Sequence, residues 1–203
     1  MIKEMINQVA EFHKAFGVQR GNVDVELRYK LFKEEFEEYV DGYNAKLQGL
    51  EYFTTEQGEY VHTLTYLADA ICDMLFIASG THDVHELKLE YNIDFDDLYT
   101  DEEMTITLLS SINEMYLDEE FIDDVMHDYY FNILSLAKIN GFLEKLTELF
   151  TEVFNSNMSK LDNNGKPIIN ELDSPYYDER KPIGKILKSN NFFEPNLKAI
   201  LEK

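Results

Sequence analysis

The sequence has little of what marks several common classes of protein. Its one cysteine, Cys72, leaves no second cysteine for an intramolecular disulfide, which predicts a protein of the reducing cytoplasm. No run of about 18 apolar residues is free of polar breaks, and residues 1–4 lack the basic start of a signal peptide, so we expect neither a membrane span nor a leader. A glycine-rich phosphate loop is absent, which excludes a P-loop enzyme.

Basic residues are also scarce, with 18 Lys and Arg against 40 Asp and Glu and a net charge of −22. This balance argues against nucleic acid as a partner, because affinity for the phosphate backbone comes from clustered cations. Residues 1–154 carry 33 of the acids and 10 of the bases, whereas residues 155–190 carry 5 acids and 6 bases. An anionic small ligand would therefore need the C-terminal segment, a metal ion, or both.

All four prolines lie after residue 166, and long alternating strand-like runs are absent. With 44% hydrophobic and 13% aromatic residues, the chain is predicted to be globular and all-α, followed by an extended tail that forms turns or a short hairpin. Apolar periodicity predicts helices over about 2–15, 24–47, 57–80, 83–91, 101–116, 119–139 and 142–160.

The predicted third helix contains two acidic residues in an otherwise apolar stretch. Asp69 and Asp73 are four residues apart, so at 100° per residue they share one narrow stripe. Unpaired carboxylates removed from water cost several kcal/mol, and two of them also repel each other. Either a basic partner, such as Arg20, Arg28 or a lysine, or a divalent cation is expected beside them.

The second helix carries the run Glu34-Glu35-Phe36-Glu37-Glu38. Glu35 and Glu38 share their arc with leucines, and Glu34 lies at its border, which indicates an acidic patch that contacts another helix. If this patch faces the aspartates, up to five carboxylates converge, and oxygen-rich sites of that kind suit Mg²⁺ or Mn²⁺. The alternative is that the run is a solvated helix face.

Four blocks together resemble the all-α nucleoside triphosphate pyrophosphohydrolases, the MazG-like superfamily that includes phosphoribosyl-ATP pyrophosphohydrolase. They are 11–17 (EFHKAFG), 28–38 with its EExxE pattern, 67–73 (LADAICD) running on to 80–81, and 157–161 (NMSKL) followed by 165–166 and 184–188 (GKILK). The resemblance implies a MazG-like bundle with a core at 1–81 and 137–165, an acidic helical insertion at 82–136 and an extended tail at 166–203. The chain departs from the family pattern at Ala70, where the second motif usually has a glutamate three residues before its aspartate.

The resemblance further implies Mg²⁺-dependent cleavage of a nucleoside triphosphate to a monophosphate and pyrophosphate, by a homodimer or homotetramer. In that reading one of Glu35 and Glu38 orients or deprotonates the attacking water. The remaining roles are metal ligation by Glu34, Glu35, Glu38, Asp69 and Asp73, and substrate binding by Arg28, Asn157, Lys160, Lys185 and Lys188.

Two other functions remain open at this stage. The acidic stretch 82–140, with 16 acids against Lys88 and Lys138, would suit a non-catalytic protein that binds or inhibits a basic partner. The departure at Ala70 would suit a relative that binds nucleotides as a sensor without cleaving them. A buried Asp69–Asp73 pair argues against the first of these, because a charge mimic needs its charges outside.

Overall fold

The computed structural model is predominantly helical, which confirms the predicted class at that coarse level. It describes residues 1–19, 21, 25–87, 93–115, 122–179 and 186–203. The helices among them are α1 (Ile2–Phe16), α2 (Val25–Leu47), α3 (Thr63–Val84), α4 (Glu102–Met115), α5 (Ile122–Ile139), α6 (Leu146–Met158) and α7 (Leu197–Leu201).

Helix α1 is amphipathic and ends at a glycine, as its sequence predicts. Met5, Val9 and Phe16 are buried along one face, together with His13. Gly17 then takes a left-handed conformation with φ of 73°, and its N–H bonds back to the carbonyl of His13. Glycine adopts this conformation without the steric cost of a side chain, so the helix ends within one residue of its predicted end.

Helices α2 and α3 form the most extensive contact between any two described elements. On α2, the aromatic side chains of Phe32, Phe36 and Tyr39 are buried in the core. Close approach is possible at Gly42, because a Cβ there would come within 2.8 Å of the Leu67 side chain on α3. This pair of helices is the frame on which the candidate site is built.

A β-hairpin precedes α3, so the prediction of a helix from residue 57 was wrong. Strand β1 (Tyr52–Thr54) pairs antiparallel with β2 (Tyr60–His62), with Phe53 opposite Val61. Helix α3 begins only at Thr63, where the ring of His62 accepts a hydrogen bond from the Thr65 N–H at 3.3 Å. The strands are only three residues long, too short for their alternation to stand out from the apolar run that continues into the helix.

Helices α4 and α5 begin and end within three residues of their predicted bounds. A polar network ties them to α2: Lys46 Nζ donates to Glu102 Oε2 at 2.7 Å and to Asn140 Oδ1 at 2.6 Å. Tyr39 donates to Glu102 and accepts from Asn140 Nδ2 at 2.8 Å. Buried side chains of α5 belong to the same hydrophobic cluster as those of α1–α3. The division into core, insertion and tail stays a prediction.

No helix begins at residue 83, although the sequence predicted one over 83–91. Helix α3 continues to Val84, and Glu86 then has φ of 54°, a left-handed value that interrupts a helix. Residues 88–92, and the proposed N-caps Asn22 and Asp24 of α2, lie outside the described residues.

The helix predicted over about 142–160 and the turn after it are both present in the C-terminal part. A 3₁₀ turn (Leu143–Lys145) leads into α6, and a turn at Asp162 leads to strand β3 (Ile168–Ile169), which pairs antiparallel with β4 (Ile186–Leu187). The five-residue helix α7, capped by the Asn196 side chain, was not predicted. Hydrogen bonds fasten the tail to the end of α6, since Ser156 Oγ donates to the Phe193 carbonyl at 2.8 Å.

Helix α3 has the length and apolar composition of a membrane span. However, most of its apolar stretch is buried against the rest of the protein. This degree of burial is what a core helix shows, so the hydropathy of α3 is accounted for by its packing.

Candidate active site

Helices α2 and α3 run antiparallel, and their register brings acidic residues of the two helices side by side. Near one end, Gly80 of α3 lies against Arg28 of α2, and near the other, Gly42 of α2 lies against Tyr66 of α3. Between these two contacts, a step forward along α2 corresponds to a step back along α3. Glu35 therefore comes beside Asp73, and Glu38 beside Asp69. Each of these pairs also interacts electrostatically.

Glu35 is the most strongly perturbed glutamate of this group. It is partly buried, and burial is the main cause that raises its pKa to about 9. The charges of Asp73, Glu38, Glu34 and Asp69 add to the effect in that order. A carboxyl that keeps its proton to such a pH is one whose charge is both desolvated and repelled.

Glu38 and Asp69 are perturbed in the same direction. Burial, followed by the charges of Asp69, Glu34, Glu59 and Asp41, raises the pKa of Glu38 to about 7. Burial, followed by the charge of Glu194, raises the pKa of Asp69 to about 6, although the Lys160 ammonium acts in the opposite sense. Glu59 on the hairpin and Glu194 in the tail thus lie at the edges of the group.

Asp73 has a pKa well above its usual range. Burial is the largest cause, the charge of Asp69 follows, and the favourable effect of Lys160 is too small to offset them. Both aspartates keep some accessible surface although protein atoms surround them densely. We call Glu35, Glu38, Asp69 and Asp73 the carboxylate cluster. Glu34, the fifth predicted ligand, is exposed at its border.

The donor chemistry of the carboxylate cluster fits Mg²⁺ or Mn²⁺. Its donors are all carboxylate oxygens, which these ions prefer over nitrogen and sulfur. The four carboxylates need positive charge nearby to offset their mutual repulsion, and a divalent cation would supply it. Within the described part of the chain, no three His, Cys, Asp or Glu side chains are arranged around a common point at coordinating distance. The fit thus rests on the type of donor and on its placement on two facing helices.

Lys160 is the basic side chain whose charge acts on both aspartates. It follows α6, which packs against α3, and its Nζ donates to Asn157 Oδ1 at 2.6 Å. Of the basic partners considered from the sequence, a lysine is thus found near the pair. Arg20 lies outside the described residues.

Arg28 is not brought to the carboxylate cluster. It precedes Glu35 by seven residues, about 10 Å along the helix axis, and its Nη2 lies 3.4 Å from His13 Nε2. His13 Nδ1 in turn lies 2.9 Å from Asp83 Oδ2, and both of these side chains are buried. His13 belongs to the block 11–17, but nothing in the sequence pairs it with Asp83, which is 70 residues away.

The tail lysines have different positions. Lys188 is exposed, forms an ion pair with Glu194 at 2.6 Å and lies 4.2 Å from the centre of the Phe192 ring. Since Glu194 acts on Asp69, the pair with Lys188 is near the edge of the carboxylate cluster. Lys185 lies outside the described residues. Glu194 was not predicted, and its position follows from the fastening of the tail to α6.

No family model, no curated protein and no solved structure matches this chain. The MazG-like resemblance therefore stays a prediction.

Proposed function

We propose that the protein is a Mg²⁺-dependent nucleoside triphosphate pyrophosphohydrolase of the MazG-like type, which cleaves a ribo- or deoxyribonucleoside triphosphate to the monophosphate and pyrophosphate. The observation that carries this proposal is the carboxylate cluster on α2 and α3, where Glu35 and Glu38 repel Asp73 and Asp69. Such an arrangement is costly to the folded protein unless a cation joins it.

The metal ion would be held by the carboxylate cluster, with Glu34 at its exposed border. When bound there, a divalent cation neutralises part of the triphosphate charge and lowers the pKa of the water that attacks it. Glu35 and Glu38 remain the two candidates for the residue that orients this water and accepts its proton. In the hydrolysis, the water oxygen would bond to the α-phosphorus, the bond from that phosphorus to the α,β-bridging oxygen would break, and pyrophosphate would leave with the bridging oxygen.

Cationic residues of the loop after α6 and of the tail would receive the anionic part of the substrate. Lys160 stands beside the aspartates, and Lys188 stands at the edge of the same region. Both, together with Lys185, would bind phosphate oxygens as point charges, and Asn157 Oδ1 accepts a hydrogen bond from the Lys160 ammonium. Arg28, about two helical turns from Glu35, stays a candidate for binding the substrate.

The proposal is tested by measuring pyrophosphate release from a panel of the common ribo- and deoxyribonucleoside triphosphates with Mg²⁺ or Mn²⁺. Glu38→Gln and Asp73→Asn should abolish release, whereas Glu37→Gln is a matched control on the same helix, since Glu37 is exposed and pairs with Lys33 at 3.7 Å. Failure to release pyrophosphate from every nucleotide, or full activity in both cluster variants, would refute the assignment.

The same preparation can separate the other candidates. A nucleotide sensor would bind a triphosphate without product release, and an acidic inhibitor would capture a basic protein stoichiometrically, without Mg²⁺, and lose it in high salt. Light scattering on the purified protein would test the dimer or tetramer that belongs to the proposal.

A further inference from the structure

The chain contains two Asn-Gly pairs, which the fold places in different surroundings. They are Asn140-Gly141 after α5 and Asn164-Gly165 in the turn before β3. An asparagine followed by glycine is chemically labile, because the glycine has no side chain to shield its backbone nitrogen from the carboxamide carbon before it. Whether that nitrogen and that carbon can meet depends on how the fold holds each asparagine.

Asn140 is held by hydrogen bonds at both ends of its carboxamide. Its Oδ1 accepts from Lys46 Nζ at 2.6 Å, and its Nδ2 donates to the Tyr39 hydroxyl at 2.8 Å and to the Leu136 carbonyl at 2.9 Å. The residue is also partly buried. Its carboxamide carbon can turn toward the Gly141 nitrogen only after these bonds break.

Asn164 is held by its backbone, while its side chain is exposed. The backbone N–H groups of Asn164 and Lys166 both donate to Asp162 Oδ1 at 2.8 Å, which fixes the turn around Gly165. The carboxamide Nδ2 lies 3.4 Å from Asp162 Oδ2, which is longer than an ordinary hydrogen bond. The Gly165 nitrogen donates to the Asp162 carbonyl at 3.0 Å, a bond of an exposed turn. Both reacting groups are thus next to water and weakly held.

We propose that Asn164 is a site of spontaneous deamidation, where the carboxamide is converted to a carboxylate, and that the fold protects Asn140 from the same reaction. The Gly165 nitrogen bonds to Asn164 Cγ, the bond from Cγ to Nδ2 breaks, and Nδ2 leaves as ammonia with the proton of the Gly165 amide. Water then opens the resulting succinimide ring at either carbonyl. Opening at Cγ gives aspartate, and opening at the backbone carbonyl gives isoaspartate. The reaction needs no oxidant, reductant or metal ion, so it is independent of the proposed catalytic function.

The products change the turn in two ways. Either one places a second carboxylate beside that of Asp162, where like charges repel, and adds one negative charge to a chain of net charge −22. Isoaspartate also lengthens the backbone inside the ring that Asp162 N closes by donating to the Lys166 carbonyl at 2.8 Å. Since this turn joins Leu161 to Pro167, which form a β-bridge, deamidation is expected to loosen the chain that leads into β3.

The expected difference between the two sites follows from the bonds that hold the Asn140 carboxamide. A hydrogen bond that must break before the reaction slows it by about fivefold. With the bonds to Lys46, Tyr39 and Leu136 all in place, deamidation in the folded protein should be roughly 100-fold faster at Asn164 than at Asn140. In the unfolded chain this protection is lost, so the two rates should become similar.

The test is to incubate the full chain at mildly alkaline pH, with and without denaturing urea, and to follow both asparagines by peptide mapping with mass spectrometry. Aspartate and isoaspartate should accumulate at position 164 of the folded protein well before any change at position 140, and urea should remove most of the difference. Asn164→Gln should abolish the new acidic species in ion-exchange chromatography, because attack on a glutamine side chain must close a larger ring. Asn163→Gln, a matched control at the exposed neighbouring asparagine, should leave the rate at Asn164 unchanged.

Circular dichroism of each variant shows whether it is folded. An Asn164 that stays unmodified, or that reacts no faster than Asn140 in the folded protein, would overturn the inference. A difference in rate that persists undiminished in urea would also overturn it, since the difference would then come from the neighbouring sequence and not from the fold.

Discussion

Replacing Glu35 with glutamine is expected to stabilise the protein in metal-free buffer. A carboxyl whose pKa is higher in the folded than in the unfolded state binds its proton more strongly when folded. Its contribution to stability is therefore complete below the unfolded pKa and is lost as the pH rises toward the folded pKa. For Glu35 this interval runs from 4.5 to about 9. Glutamine resembles the protonated acid and does not ionise, so it avoids the loss.

The size of this stability difference follows from how far the pH exceeds the pKa of Glu35 in the unfolded state. At pH 7 about two and a half pKa units lie between the unfolded value and the solution, which corresponds to about 3 kcal/mol at 1.36 kcal/mol per unit. At pH 5.5 only one unit is involved, or about 1 kcal/mol. The expected advantage of Glu35→Gln over the wild-type protein is therefore about 3 kcal/mol at pH 7 and about 1 kcal/mol at pH 5.5.

Urea unfolding in EDTA, followed by far-ultraviolet circular dichroism at the two pH values, measures this difference. Glu37→Gln removes the same charge from an exposed position of the same helix, so it corrects for the general self-repulsion of a chain with net charge −22. We expect it to change stability by no more than about 0.5 kcal/mol. A Glu35→Gln protein that is less stable than wild type at pH 7, or an advantage that does not shrink at pH 5.5, would refute the reasoning.

Three further predictions concern other parts of the same structure. Addition of Mg²⁺ should raise the melting temperature of the wild-type protein in a thermal-shift assay, and Asp73→Asn should abolish the rise, because binding to the folded state alone stabilises it. Lys46→Met should cost about 2 to 4 kcal/mol in urea unfolding, since it leaves the Glu102 side chain, 12% exposed, without its cation; an unchanged midpoint would contradict this. His13→Leu should cost about 1 to 3 kcal/mol, because buried Asp83 loses its 2.9 Å partner, and no loss would mean that other partners of Asp83 suffice.

Much of the helical framework could be predicted because local signals agree with the final structure. The glycine after Phe16 and the apolar periodicity of α2 gave bounds correct to within one residue. The stripe of Asp69 and Asp73 follows from helical geometry alone. In contrast, the hairpin at 52–62 and the five-residue helix α7 are held by tertiary contacts, and elements this short leave no clear periodicity.

The residues that surround the carboxylate cluster were harder to predict from the sequence than the carboxylates themselves. Residue spacing predicts which side chains share a helical face, but it does not say which distant segment covers that face. Lys160 lies 87 positions after Asp73 in the chain, and Glu194 comes from the tail. The charge of Lys160 acts on both aspartates and that of Glu194 acts on Asp69, in a fold where α6 packs on α3 and hydrogen bonds fasten the tail to α6. Such contacts are properties of the assembled fold.

The residue at position 70 affects how the acids of α3 are spaced. The usual second motif of the proposed family has its glutamate at this position, three residues before the aspartate. In this chain Ala70 is 1% exposed and belongs to the hydrophobic core. Asp69 is one position earlier, four residues before Asp73, and so lies almost directly above it on the same helical face. The charge of Asp69 acts on Glu38 of α2. The departure at Ala70 therefore changes the spacing of the two acids from three residues to four but keeps both on one face of α3.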